Sequence, residues 1–160
     1  MKNFKIKAVC LLAAFAMAAL LITGCSQNKT PASTADFKAM AAQKNYIVQD
    51  GTDLFAAYDY IKLATITAPQ DKSFQIEFYE LNNEAFALSF FTSNKNNFIM
   101  MKGIDANEYT KTGSNFDIYK LEMYNKFMMI ERVGSTVVYV NETDVSNKQT
   151  IEKFLSELNY

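Results

Sequence analysis

The stretch from Phe116 to Val140 constrains this chain most. Phe116–Met123, 127–133 and 136–140 are rich in β-branched and aromatic residues, and only Tyr124-Asn125-Lys126 and Gly134-Ser135 separate them. Such spacing predicts three successive strands in a meander, with Gly134 supplying the positive φ of a two-residue II′ turn. An amphipathic helix follows. Ile151, Phe154, Leu155 and Leu158 repeat at i, i+3, i+4, i+7 over a charged outer face, and Ser146 with Gln149 predicts a capping box at its start.

The rest of the domain reads less sharply. Thr34-Ala35-Asp36 is an N-cap candidate before Phe37, Met40 and Ala41 at helical spacing, and Asn45 ends that helix. Residues 46–49 read as a short strand, Asp50-Gly51-Thr52-Asp53 as a turn and 54–57 as one loose helical turn. Residues 60–67 and 74–81 read as an antiparallel pair, with Phe74, Ile76 and Phe78 on one face of the second against Gln75, Glu77 and Tyr79 on the other. Asn82 or Asn83 caps a further helix, which places Ala87, Phe90, Phe91, Asn94 and Phe98 along one side. From Ile99 to Asn115 periodicity lapses, which predicts a long connection. The order α-β-β-β-α-β-β-β-α predicts an α+β domain, with an antiparallel sheet of about five to six strands and helices packed on one face. Lys44-Asn45-Tyr46 and Leu158-Asn159-Tyr160 echo one another, which raises the question of a duplication.

The N-terminus carries a different message. Lys2, Lys5 and Lys7 precede an apolar stretch over 8–22, too short for a comfortable membrane span, that runs into Thr23-Gly24-Cys25. Ile22-Thr23-Gly24-Cys25 resembles the lipobox of bacterial lipoproteins, where a branched apolar residue, a small or hydroxylated residue and Gly or Ala precede an obligatory Cys. The resemblance implies a diacylglyceryl group on Cys25, cleavage between Gly24 and Cys25, and a lipid-anchored protein on the extracytoplasmic face of the cell membrane. The alternative is an unlipidated secretory signal with an accidental Cys. The layout of the whole chain resembles small extracytoplasmic lipoproteins of Gram-positive bacteria. On this reading residues 1–24 are a signal peptide, 25–33 the lipidated Cys and a flexible tether, and 34–160 a single domain. A free tether of that length would hold the domain on the order of 15 to 20 Å from the bilayer.

Composition narrows the chemistry. Removing residues 1–24 leaves 13 Lys and Arg against 17 Asp and Glu, a formal charge of −4, with no basic stripe for nucleic acid. The chain has no His, one Arg, and two Cys, of which Cys10 leaves with the signal and Cys25 is acylated. Ser-His-Asp and Cys-His catalysis, His-ligated zinc and thiol redox chemistry are thereby excluded from the mature domain. Asp50-Gly51-Thr52-Asp53 lacks the further acids and closing Glu of an EF-hand, so no metal and no cofactor is expected. Asp50 with Asp53, Asp59, and Glu77 with Glu80 are the acids from which a two-carboxylate glycan hydrolase would have to draw. Tyr58, Tyr60, Tyr79, Tyr119 and Tyr139 line either a ligand groove or the core.

No catalytic residue is therefore assigned. The leading expectation is a membrane-anchored binding or interaction module whose partner is an envelope protein or glycan. A carboxylate-dependent envelope glycan hydrolase and a structural accessory subunit of a membrane complex are the alternatives. Met100, Met101 and Tyr109, in the aperiodic stretch, are the candidate partner contacts, since flexible Met-rich and Tyr-bearing surfaces adapt to partners. The competing expectation is that Met100 and Met101 finish the second helix inside the core.

Overall fold

A computed structural model describes residues 28–160, so Gly24, Cys25 and the signal segment lie outside the described residues. The domain is α+β and is built on one antiparallel sheet. Its elements are α1 (Thr34–Gln43), β1 (Ile47–Asp50), β2 (Ile61–Ala68), β3 (Ile76–Leu81), α2 (Glu84–Met101), β4 (Asn107–Thr112), β5 (Phe116–Met123), β6 (Lys126–Val133), β7 (Thr136–Asp144) and α3 (Lys148–Glu157). The sheet has seven strands in the order β1-β2-β3-β7-β6-β5-β4. The expected meander is β5-β6-β7. It joins the first hairpin through the antiparallel β3–β7 pair.

Two expectations need correction. Five to six strands become seven because β4, inside the stretch read as a connection, pairs with β5 along its whole length. All six of its residues are exposed, so it carries no apolar alternation to betray it. Nor do the helices share one face. Phe78, Val138, Met129 and Ile118 pack with α1 and α3, whereas Tyr79, Val137, Ile130 and Tyr119 pack with α2. Phe37 of α1 stacks on Phe78 at 4.9 Å and meets Phe154 of α3 edge-on at 5.6 Å, which joins both helices to the sheet centre.

The turns follow from local chemistry. Tyr124 and Asn125 both adopt positive φ between β5 and β6, and Gly134 alone does so between β6 and β7, at φ +56°. The first helix is capped one residue earlier than expected: Ser33 and Asp36 form the capping box, and Thr34 is its first helical residue. At the last helix the capping box of Ser146 and Gln149 gives way to a 3₁₀ turn over Val145–Asn147, in which Asp144 accepts from the Ser146 N–H at 2.8 Å. The echoed Lys-Asn-Tyr and Leu-Asn-Tyr segments are two copies of one helix stop. Asn45 and Asn159 take positive φ, and the Tyr46 and Tyr160 N–H groups bond back to the Ala41 and Leu155 carbonyls at 2.9 and 3.0 Å. Since α1 and α2 lie on opposite faces of the sheet, the echo reports shared capping and not related halves.

Residues 28–33, expected as free tether, are fastened to the sheet. The Lys29 N–H donates to Asn115 Oδ1 at 3.0 Å, and Asn115 Nδ2 returns a bond to the Lys29 carbonyl at 2.8 Å. Ala32 is buried in the core. Pro31 packs so close to Gly134 that a Cβ there would sit 2.9 Å from its Cγ. The Lys29 ammonium bonds the carboxylate of Glu131, which is 2% exposed in the middle of β6. Burial raises the Glu131 carboxyl above the ordinary carboxylate range, and Lys29 opposes that rise.

Lys29→Ala should therefore cost about 1 to 3 kcal/mol, because it leaves a buried carboxylate without its donor. The deficit should depend on pH. A carboxyl whose folded value is raised contributes fully below its unfolded value and loses that contribution as pH rises through the folded one. Losing Lys29 raises the folded value further, so the urea midpoint of the variant should fall further behind the parent between about pH 4 and pH 7. An equal deficit at both pH values would show that Lys29 acts on something other than Glu131.

Candidate functional site

A deep concavity lies on the α2 face, toward the β2 end of the sheet. It has a volume of about 580 Å³, and Phe55, Tyr58, Tyr60, Tyr79, Phe90 and Tyr139 line it together with Glu77. Each wall follows from a sequence pattern. Glu77 and Tyr79 are two apart on β3 and so share a face, and Tyr139 on β7 stands directly beside Glu77 in the register. On α2, Phe86 and Phe90 make one i, i+4 stripe, while Ser89 and Ser93 make its neighbour, whose short side chains leave the cavity unfilled. The segment after β1 closes the remaining side: a 3₁₀ turn over Thr52–Phe55 brings Phe55 edge-on to Tyr79 at 5.2 Å.

The rings form two groups. Tyr79 contacts Phe55 and, at 4.8 Å, Phe90; Tyr60 stacks on Phe86 at 5.7 Å and meets Tyr58 at 5.8 Å. Three of the polar lining side chains are committed. Tyr79 Oη donates to Glu77, Gln75 Nε2 donates to the same carboxylate at 2.7 Å, and Asn94 Nδ2 donates to the Phe90 carbonyl at 2.9 Å. Burial, and then the charge of Glu77, push the Tyr79 and Tyr139 phenols above the ordinary tyrosine value.

Of the tyrosines named from sequence, Tyr58, Tyr60, Tyr79 and Tyr139 converge on this cavity and Tyr119 does not. Tyr119 is fully buried under Phe98, and its hydroxyl donates to Glu108 at 2.7 Å. The acids separate. Glu77 and Glu80 are three apart on one strand and so face opposite ways; Glu80 accepts from Lys62 and from Thr34 of α1 on the other face. Asp50 closes a turn by accepting from the Thr52 N–H at 2.9 Å.

The candidate contacts also part company. Met100 and Met101 end α2 and are 77% and 46% exposed, so they do not pack in the core. Tyr109 lies on the edge strand β4, beneath the Lys120 ammonium, in a groove with Glu122, Lys148 and Glu152 on the α3 side. The neighbours of Met100 and Met101 are instead Ile104, fully exposed, and Tyr124, whose ring lies against Gly103. Phe86 and Phe90, which sequence reasoning assigned to the core or left unnamed, belong to the cavity wall.

Scans against protein-family models, curated proteins and solved structures find no match to this chain. Fold and site define an α+β domain on a seven-stranded antiparallel sheet with one aromatic cavity under α2.

Two outcomes follow from these placements. Met100→Ser with Met101→Ser should leave the melting temperature within about 2 °C of the parent, since exposed substitutions rarely exceed about 0.5 kcal/mol; a large drop would place both side chains in the core. Alkaline titration should show the Tyr79 and Tyr139 phenols ionising late. Their folded values lie above the unfolded one, so they favour the folded state until pH passes the ordinary tyrosine value of about 10, and stability falls above it. Glu77→Gln removes the negative neighbour and should bring the onset of phenolate absorbance to lower pH. An unmoved onset would mean that burial alone holds these phenols.

Proposed function

We propose that this chain is a lipid-anchored extracytoplasmic binding module that takes a small ligand, free or as part of an envelope component, in the aromatic cavity under α2. The observation that carries the reading is the cavity. A volume of about 580 Å³ falls within the roughly 300 to 1,000 Å³ of small-molecule sites, and aromatic walls with a few placed polar groups are what such sites use. Hydrolysis by paired carboxylates is the weaker reading at this place, because Glu77 is the one acid among its lining residues and that chemistry draws on two.

The fastened arm supports an orientation. Three peptide steps separate Cys25 from Asn28 and span at most about 10 Å. A lipid on Cys25 would keep the Gly134-Ser135 end of the sheet near the bilayer and turn the end bearing Met100, Met101 and Tyr124 outward, where a protein partner would find it. Among the described residues no helix is long and apolar enough to cross a membrane, so attachment on this reading rests on the lipid.

Two experiments test these parts separately. Cys25→Ser removes the sulfur that a thioether needs, so metabolic labelling with a fatty-acid analogue should be lost; equal labelling of variant and parent would remove the anchor. For the cavity, the full chain is incubated with a low-molecular-mass envelope extract, and retained compounds are identified beside those held by Ser93→Trp, which fills the cavity. The parent should enrich a compound that the filled variant does not. Equal retention by both proteins, or none by either, would overturn the binding reading.

A further inference from the structure

We propose that the cavity selects an organic cation: a protonated amine carried on an apolar body, whose ammonium group meets Glu77 and the faces of the surrounding tyrosines. This rests on the binding reading above and adds the chemical class of the ligand.

The first support is the charge of the wall. None of the lining residues is Lys or Arg, and Glu77 is the one side chain among them that is charged at neutral pH. Glu77 is also set apart among the acids that are not exposed. Asp117, Glu80, Glu122, Glu131 and Glu152 each have a Lys or Arg within 4.0 Å, and Glu77 has none among the described residues; the other acids without such a partner are exposed. Lys72 and Lys126 border the neighbouring groove that Glu77 also touches, yet Lys126 pairs with Glu142 at 3.5 Å and neither lysine reaches Glu77. Its partners are two neutral donors, Tyr79 Oη and Gln75 Nε2. The Glu77 carboxylate is half-buried at the cavity wall with neutral partners, and its charge adds to burial in raising the Tyr79 and Tyr139 phenols.

The second support is the surface around it. Aromatic faces carry the negative part of the ring quadrupole, and a cation within about 6 Å of a ring centroid is attracted to it, the more so where water is excluded. Tyr58, Tyr60, Tyr79, Tyr139, Phe55 and Phe90 surround the same space as the carboxylate. The hydrogen-bonding inventory points the same way. With the Tyr79 hydroxyl proton spent on Glu77 and one Asn94 amide proton on the Phe90 carbonyl, the carboxylate and Asn94 Oδ1 offer acceptors to a ligand that brings donors, beside Tyr and Ser hydroxyls that can give or take a proton. An anion would find no positive group. A neutral ligand would leave the charge of Glu77 unanswered.

The test compares three probes that share one body and differ in charge: cyclohexylmethylammonium, cyclohexylmethanol and cyclohexanecarboxylate. A fourth, the neutral glycan fragment chitobiose, stands for an uncharged sugar ligand. The chain has nine Tyr and no Trp, and four of those Tyr line the cavity, so a ligand-dependent change in tyrosine emission of the full-length protein in an oxyethylene detergent carries the cavity signal free of indole emission. Ionic strength is matched with sodium chloride. The ammonium probe should bind about tenfold more tightly than the alcohol, with the carboxylate weakest. Glu77→Gln should abolish that preference, and its melting temperature checks that the variant is folded. Tyr60→Leu, which keeps apolar bulk and removes a ring face, should also reduce the preference. Equal binding of ammonium and alcohol, or a preference that survives Glu77→Gln, overturns the cation assignment. Binding of chitobiose with no response to the ammonium overturns it too, and leaves the cavity a binding site; silence toward all four probes overturns both.

Discussion

Everything in this domain is arranged around β6, which is buried on both faces along 127–133. A strand in that position must be covered twice, so its neighbours β5 and β7 carry apolar residues on both sides and helices are needed above and below. Met129 and Met128 divide between the two clusters, as do Val138 and Val137 on β7. Two sequential charges, Glu131 and Arg132, interrupt this strand and point to opposite faces. Each is answered locally. Arg132 Nε donates to Asp117 at 2.8 Å and its Nη1 to the Gly134 carbonyl at 3.1 Å, while Glu131 depends on Lys29 from the N-terminal arm. Leaving either charge unpaired inside the sheet would cost several kcal/mol, so the arm is part of the folded domain and not an appendage.

That dependence ties the fold to the membrane reading. A residue that neutralises the centre of the sheet sits four positions after the proposed lipid site, so the anchor and the core are separated by very little chain. On the anchored reading the domain could not drift from the bilayer without giving up the Lys29–Glu131 pair. A lipoprotein built in this way presents one end outward in a defined orientation, whereas a free tether of the same length would let it tumble.

Much of the architecture was legible, and the misses have physical causes. The β5-β6-β7 meander showed because tight turns leave a backbone signature in Asn and Gly, and α3 showed because a helix buried on one side repeats its apolar residues at i, i+3 and i+4. Two-sided cover was present as the unbroken run Phe127-Met128-Met129-Ile130, which does not alternate because neither face is wet; reading α3 as the lid of a one-sided sheet overlooked it. β4 had no such signal, since an exposed edge strand needs no apolar residue. Half of the site was readable by parity: Glu77 and Tyr79 share a face and Glu80 does not, which already divides the acids. That Tyr119 is core while Tyr139 is wall was not readable. Both lie on the α2 face, on the strands either side of β6, and Phe98 of α2 packs with each, at 6.4 and 5.4 Å. What separates them is the position of the hydroxyl, held by Glu108 for Tyr119 and left at the cavity for Tyr139.

The cavity itself follows from a mismatch of widths. Seven strands at about 4.8 Å spacing make a sheet close to 30 Å across, and a helix with its side chains covers about 10 to 12 Å of it. On one face two helices share the work, α1 toward β3 and α3 toward β5 and β6, and that face closes around Phe37, Phe78 and Phe154. The other face has α2 alone. Its C-terminal half is held down by Phe98 over Tyr119 and Tyr139, which leaves the sheet beneath β2 and β3 to the irregular segment 52–60. A short 3₁₀ turn and a few aromatic side chains cover that area without filling it, because a loop cannot interdigitate with a pleated surface as a helix ridge does. The space left between α2 and the segment is lined by rings because rings are what both sides use to span the gap. On the binding reading, ligand chemistry on this fold is thus concentrated where secondary structure runs out.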